Sequence, residues 1–198
     1  MILRIVRGRV AIDRVEGLTA ALGATPDGHV RATPGLVRSH VGLRGLEGDE
    51  REVVLVTCWE TVDAAIAEAG LDGADARDGA TPAAGGVAFF EVDESTLRRS
   101  DAAAHVLRLS VGRVARGMDV DIQHELRERM HLLEPAMTEG YVGRRILGND
   151  VEIAFISAWD REPEGRSLDA PIWPDISAGY DAFEVATFRP VVSEAAAR

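Results

Sequence analysis

Polar positions interrupt apolar ones at near two-residue spacing through residues 2–10, and this pattern predicts a strand. Val15, Leu18 and Leu22 then recur at helical spacing over 13–22, with Gly23 as a C-terminal stop. Turn signals at Thr25-Pro-Asp-Gly28 and Pro34-Gly35 lead to a predicted strand over 36–44. Gly48-Asp49 leads to another over 53–59, and Thr61 caps an Ala-rich helix to about Ala69. A Gly-, Ala- and Asp-rich loop over 71–87 precedes a fourth strand, Val87–Val92.

The same order returns. A strand is predicted over 106–114, then a helix over about 119–133 with Ile122, Leu126, Met130 and Leu133 on one stripe. A strand over 141–147 turns through Gly148-Asn-Asp150 into a strand ending at Trp159. The last strand is 182–191, and the intervening 161–176, with three prolines and Trp173, reads as irregular. Identities support the repetition: Leu3-Arg-Ile-Val-Arg-Gly-Arg-Val-Ala11 matches Leu107-Arg-Leu-Ser-Val-Gly-Arg-Val-Ala115 at six of nine positions. Val53-Val-Leu-Val-Thr-Cys-Trp-Glu60 likewise returns as Ile153-Ala-Phe-Ile-Ser-Ala-Trp-Asp160. We read a tandem duplication with a period near that of a small domain.

Each half therefore reads β-α-β-β-α-β, the ferredoxin-like split unit, and the fold class is α+β. The expected domains are 1–93 and 105–192, joined by a linker over 94–104 and followed by a tail over 193–198. A four-stranded sheet with helices on one side leaves its other face bare. Two halves that bury these faces together would form an intramolecular pseudo-dimeric barrel, which explains strands that are apolar on both sides.

Charge and composition narrow the partners. A formal net charge of -11 argues against nucleic acid, and no apolar stretch is long enough to span a bilayer. A single cysteine, Cys58, fits a reducing, cytoplasmic setting. Every basic residue is an arginine, so Schiff-base lysine chemistry and a lysine-bearing phosphate loop are both excluded. Coding bias accounts for the missing lysine, but the chemical exclusion holds regardless. The expected partner is a small-molecule substrate. The expected assembly is a monomer with an internal pseudo-dimer, or a further homodimer.

Pro34-Gly-Leu-Val-Arg-Ser-His40, Val53–Glu60 and the Ala-rich segment after it resemble the antibiotic biosynthesis monooxygenase (ABM) domain of the dimeric α+β barrel superfamily. The second half resembles it through Glu139-Gly-Tyr-Val142, Ala158-Trp-Asp160 and Tyr180–Phe188. The resemblance implies a monooxygenase that uses no cofactor and acts on a small aromatic or polycyclic metabolite. Its alternative is a non-catalytic small-molecule or haem-binding module. The family's haem-degrading pattern pairs an asparagine on the first strand with the tryptophan and a histidine on the next helix. Here the one asparagine is Asn149 in a predicted turn, and no histidine lies between Trp59 and His105 or follows Trp159. Haem would need other ligands, with His124 and His131 available.

Within that resemblance His40 is the candidate base, and Arg108 or Arg145 stabilises the developing oxyanion. Trp59, Tyr141 and Trp173 shape the pocket. The residues also support blander readings, which stay open. Arg4 and Arg108 on the first strands would be structural partners of Glu91 and Glu184 on the fourth. Trp59 and Trp159 would be core anchors. Aligning Gly35 with Gly140 sets His40 opposite Arg145, with Leu36 and Tyr141 on the same face. His124, Glu128 and His131 share a helix face that is expected to be solvated, so no metal site is assigned.

Overall fold

The computed structural model describes residues 1–18, 33–69, 86–92, 97–98, 104–132, 137–161, 176 and 178–190. The strands of the first repeat are β1 (Ile2–Ala11), β2 (Leu36–Gly45), β3 (Glu50–Trp59) and β4 (Val87–Val92). After the short β5 (Leu97–Arg98) come β6 (Val106–Ala115), β7 (Met137–Leu147), β8 (Asp150–Trp159) and β9 (Ala182–Pro190). The helices are α1 (Val62–Ala69) and α2 (Asp119–Leu132), and a 3-10 turn follows β1 at Ile12–Arg14. The chain divides into two compact units, Met1–Phe89 with Phe188–Arg198, and Phe90–Thr187. The division thus falls inside β4 and inside β9.

The first unit orders its strands β4-β1-β3-β2, and the end of β9 pairs with β2 at Gly42↔Pro190 and Leu43↔Arg189. β1 and β3 pair along their full length, from Ile2↔Trp59 to Ala11↔Glu50. Strand alternation puts Arg4, Val6, Gly8, Leu55, Thr57 and Trp59 on one face. α1 packs on that face, where Arg4 Nη1 donates to the Ala65 carbonyl at 3.2 Å. The entry to β2 demands glycine at residue 35. Its φ is +78°, and a Cβ there would stand 2.9 Å from that of Ala64.

The second unit repeats this order as β9-β6-β8-β7, with β5 beyond β7. β6 and β8 pair from Val106↔Trp159 to Ala115↔Asp150. α2 covers the face bearing Val106, Arg108, Ser110, Gly112 and Val114. Ile122, Leu126 and Met130 of the predicted stripe join Met137, Val142, Ile153, Phe155 and Trp159 in one core. Each such side chain contributes about 1.5–3 kcal/mol on burial. The opposite face is buried as well, with Leu107, Leu109, Ala154, Ile156 and Ala158 in its core. Burial on both faces explains the unbroken apolar runs that follow Glu52 and Glu152.

Matched irregularities mark both repeats: the register shifts between Leu36 and Arg38 on β2, and between Met137 and Glu139 on β7. Strand β7 consequently begins at Met137, ahead of the 141–147 expected from the pattern. The architecture is α+β, two ferredoxin-like repeats of the intramolecular pseudo-dimeric α+β barrel class. Among the described residues, no helix is long and apolar enough to cross a membrane.

Candidate functional site

Each repeat builds a related cluster on its helix-covered face, in which a tryptophan indole donates to a hydroxyl two residues before it. In the first unit the indole Nε1 of Trp59 donates to Thr57 Oγ1 at 2.8 Å, and Arg4 Nε donates to the same oxygen at 3.2 Å. The Arg4 guanidinium carbon stands 5.3 Å from the Trp59 ring centroid, within cation–π range. In the second unit Trp159 Nε1 donates to Ser157 Oγ at 2.9 Å. Arg108 pairs with Ser157 across β6 and β8 and is 1% exposed. The local cause is strand geometry: a hydroxyl two residues before the tryptophan shares its face, and the paired arginine lies beside the hydroxyl.

The helix-free faces carry a second repeated cluster. Arg7 Nε donates to Glu52 Oε1 at 2.6 Å, and Arg44 Nε contacts Oε2 of the same carboxylate. Arg145 Nε donates to Glu152 Oε2 at 2.6 Å, and Arg113 approaches the other oxygen at 3.9 Å. Arg44 stands 5.5 Å from the Phe188 ring centroid and Arg145 stands 5.2 Å from that of Phe90. Those rings cross Gly42 and Gly143, where an added Cβ would meet the phenylalanine Cβ at 2.6 and 2.7 Å. Arg145 is thus committed to an ion pair and a ring contact. Further along β7, buried Tyr141 donates to buried Glu139 at 3.1 Å.

The strand registers correct the proposed alignment of the repeats. His40 pairs with Val56 and Tyr141 with Ile156, so His40 corresponds to Tyr141 and Arg44 to Arg145. The bulge after Leu36 also sends Leu36 to the face opposite His40, because one extra residue inverts the alternation. Within the first unit, His40 therefore lies on the face opposite Trp59. Within the second, Tyr141 and Arg145 share the helix-free face while Arg108 lies on the other. Trp173 lies outside the described residues. Arg4 hydrogen-bonds Thr57 and the Ala65 carbonyl, whereas Glu91 is exposed on β4. Glu184 on β9 is also exposed, and Cys58 is a free, buried thiol. Among the described residues no cluster of histidine, cysteine and carboxylate could hold a metal, and the His131 side chain lies outside them.

Sequence reasoning missed Thr57, Ser157, Glu52 and Glu152 as organising residues. A signal was present: Gly42-Leu-Arg44 and Gly143-Arg-Arg145 each precede a glutamate that opens an apolar run.

Solved structures of low sequence identity share this fold. A protein from Fusobacterium nucleatum provisionally named a monooxygenase is similar at a TM-score of 0.65 and 13% identity, over 96% of this chain and 92% of that one. A protein of the same provisional name from Lactobacillus acidophilus is similar at 0.63 and 14%, over 96% and 94%. An anthrone oxidase-like protein is similar at 0.54 and 13%, over 96% and 90%. No family model matches the chain, and no protein of curated function does.

Proposed function

We propose that the chain is a monooxygenase that uses no cofactor and acts on a small aromatic or polycyclic metabolite. The observation that supports this most is the buried Arg4 guanidinium 5.3 Å from the Trp59 ring. A buried cation held beside an indole suits a substrate whose oxygen must become anionic. In a low-dielectric site, a fixed positive charge lowers the cost of forming that oxyanion. The enolate or phenolate then transfers electrons to dioxygen from its activated carbon. A CH2 group and O2 become a C=O group and water, which balances without an outside reductant. The anthrone oxidase-like protein, similar in fold, bears a name that fits this substrate class. His40 lies on the other face of the sheet, so in this reading the proton leaves to solvent.

Oxygen uptake with anthrone as the probe tests the reading. The expected result is consumption above the spontaneous rate, falling about 10²-fold in Arg4→Met, the scale for loss of an oxyanion-stabilising group. Wild-type protein that binds the probe without consuming oxygen would make it a binding module instead.

A further inference from the structure

The bulge between Leu36 and Arg38 decides which side chain of β2 stands beside Thr57. In unbroken alternation Arg38 would pair with Thr57. The extra residue moves Arg38 opposite Cys58 and brings Ser39 opposite Thr57. On its other side Thr57 pairs with Arg4. Arg4, Thr57 and Ser39 therefore form one row across β1, β3 and β2 on the helix-covered face, with Trp59 beside its middle member. Directly opposite side chains in such a row have Cβ atoms roughly 4.5–5.5 Å apart.

Hydrogen-bond directions fix what the row can offer. Thr57 Oγ1 accepts from Trp59 Nε1 at 2.8 Å and from Arg4 Nε at 3.2 Å, which uses both of its lone pairs. Its remaining capacity is its own O–H, and the cation behind the oxygen polarises that bond. Ser39 adds a second hydroxyl, partly buried, which rotates to suit its acceptor. The second unit runs the same row as Arg108, Ser157 and Gly140. There the Met130 thioether occupies the place where a side chain at 140 would begin. Further along that face the Tyr180 ring lies on Gly112, its Cγ 2.6 Å from where a Cβ would be. The protein's own side chains fill the second face, and its row ends without a hydroxyl.

We propose that Ser39 and Thr57 are catalytic donors, whose hydroxyls receive the substrate oxygen as it becomes anionic, with the Arg4 charge on the neighbouring strand. The inference rests on the oxygenase reading and adds the groups that touch the oxyanion and the repeat that supplies them. Neither hydroxyl gives up its proton. Each donates a hydrogen bond that strengthens as charge builds on the oxygen. The bulge then serves chemistry, because it sets a small neutral donor beside Thr57 and sends Arg38 to the other face.

Steady-state oxygen uptake with anthrone tests the row. Ser39→Ala is expected to lower kcat about 10²-fold with KM nearly unchanged, and Ser39→Thr to restore most of it. Circular dichroism melting of each variant establishes folding at the assay temperature. Should Ser39→Ala unfold, Ser39→Gly takes its place, since glycine is the residue that the second unit carries there. Folded Ser39→Ala with wild-type kcat would overturn the proposal, and so would a rise in KM alone. A second readout needs no turnover: the visible absorption of bound 1,8-dihydroxyanthraquinone reports the ionisation of its hydroxyl groups. Donors to the charged form lower the pH of that ionisation, so Ser39→Ala should raise it by about one unit. Wild type that shows this shift but consumes no oxygen would sink the oxygenase reading and keep the row. Equal oxygen uptake by wild type and Ser39→Ala would sink the row and keep the oxygenase. Wild type that neither binds the probe nor takes up oxygen overturns both.

Discussion

Trp59 and Thr57 are locked together by an indole N–H to hydroxyl bond of 2.8 Å, made between residues two apart on one strand. Arg4 donates to the same oxygen, so one hydroxyl fixes both the aromatic ring and the cation beside it. Thr57→Val keeps the shape and removes the acceptor from two buried donors. The expected loss is about 2 kcal/mol, the scale for stranding a buried donor. Thr57→Ser should recover most of it. Urea unfolding midpoints of the two variants check this, and equal midpoints would show that the shared hydroxyl is dispensable.

The helix-free cluster is a stability determinant of another kind. Glu52 is buried between Arg7, itself buried, and Arg44. Glu52→Gln leaves these guanidinium groups poorly compensated and is expected to cost about 3–5 kcal/mol. Glu152→Gln should cost less, because its second arginine, Arg113, is 39% exposed and 3.9 Å away. Thermal unfolding of the two variants side by side gives the order, and a larger loss for Glu152→Gln would reverse this account.

How much of this was legible depends on how local each cause is. Strand positions were readable because β3 and β8 carry unbroken apolar runs after Glu52 and Glu152, while β1 interrupts its apolar positions at strand spacing and β6 repeats the β1 sequence. The Trp59 and Trp159 motif was readable because hydroxyl and indole belong to one strand. The bulge between Leu36 and Arg38 was not, since an extra residue leaves the apolar pattern of β2 almost unchanged while reversing which side chains share a face. The alignment of His40 with Arg145 had another source: matching Gly35 to Gly140 sets the repeats four residues away from the register that pairs His40 with Val56 and Tyr141 with Ile156. The ion clusters were hidden for a related reason: Arg7, Glu52 and Arg44 come from three strands, and meet only once both registers are known.

Gly42 and Gly143 test the repeated phenylalanine contacts. An added methyl would meet the Cβ of Phe188 or Phe90 at 2.6 and 2.7 Å, and a Cβ cannot swing away as the end of a long side chain can. Gly42→Ala and Gly143→Ala should each cost about 1–3 kcal/mol, the usual range for overpacking. Gly45→Ala, with nothing within 4 Å, is the matched control and should stay within about 0.5 kcal/mol of wild type. Denaturant titrations separate these outcomes. Three equal values would mean that the strands move apart freely.

Burial pushes the Tyr180 hydroxyl well above the ordinary phenol value near 10. The sign of the resulting pH dependence follows from proton counts. Below pH 10 the folded and unfolded chains both carry the phenolic proton. Above it the unfolded chain loses that proton while the folded chain keeps it, so stability falls as pH rises, by about 1.4 kcal/mol per pH unit for one group. The absence of lysine makes this measurable, since no ammonium groups titrate in the same window and arginine stays charged. Melting temperature should therefore decline from about pH 10 upward in wild type, and Tyr180→Phe should flatten the decline. An undiminished decline in that variant would assign the alkaline sensitivity elsewhere, to Tyr141 or to the buried thiol of Cys58. The ring over Gly112 would then be open to solvent often enough to ionise in place.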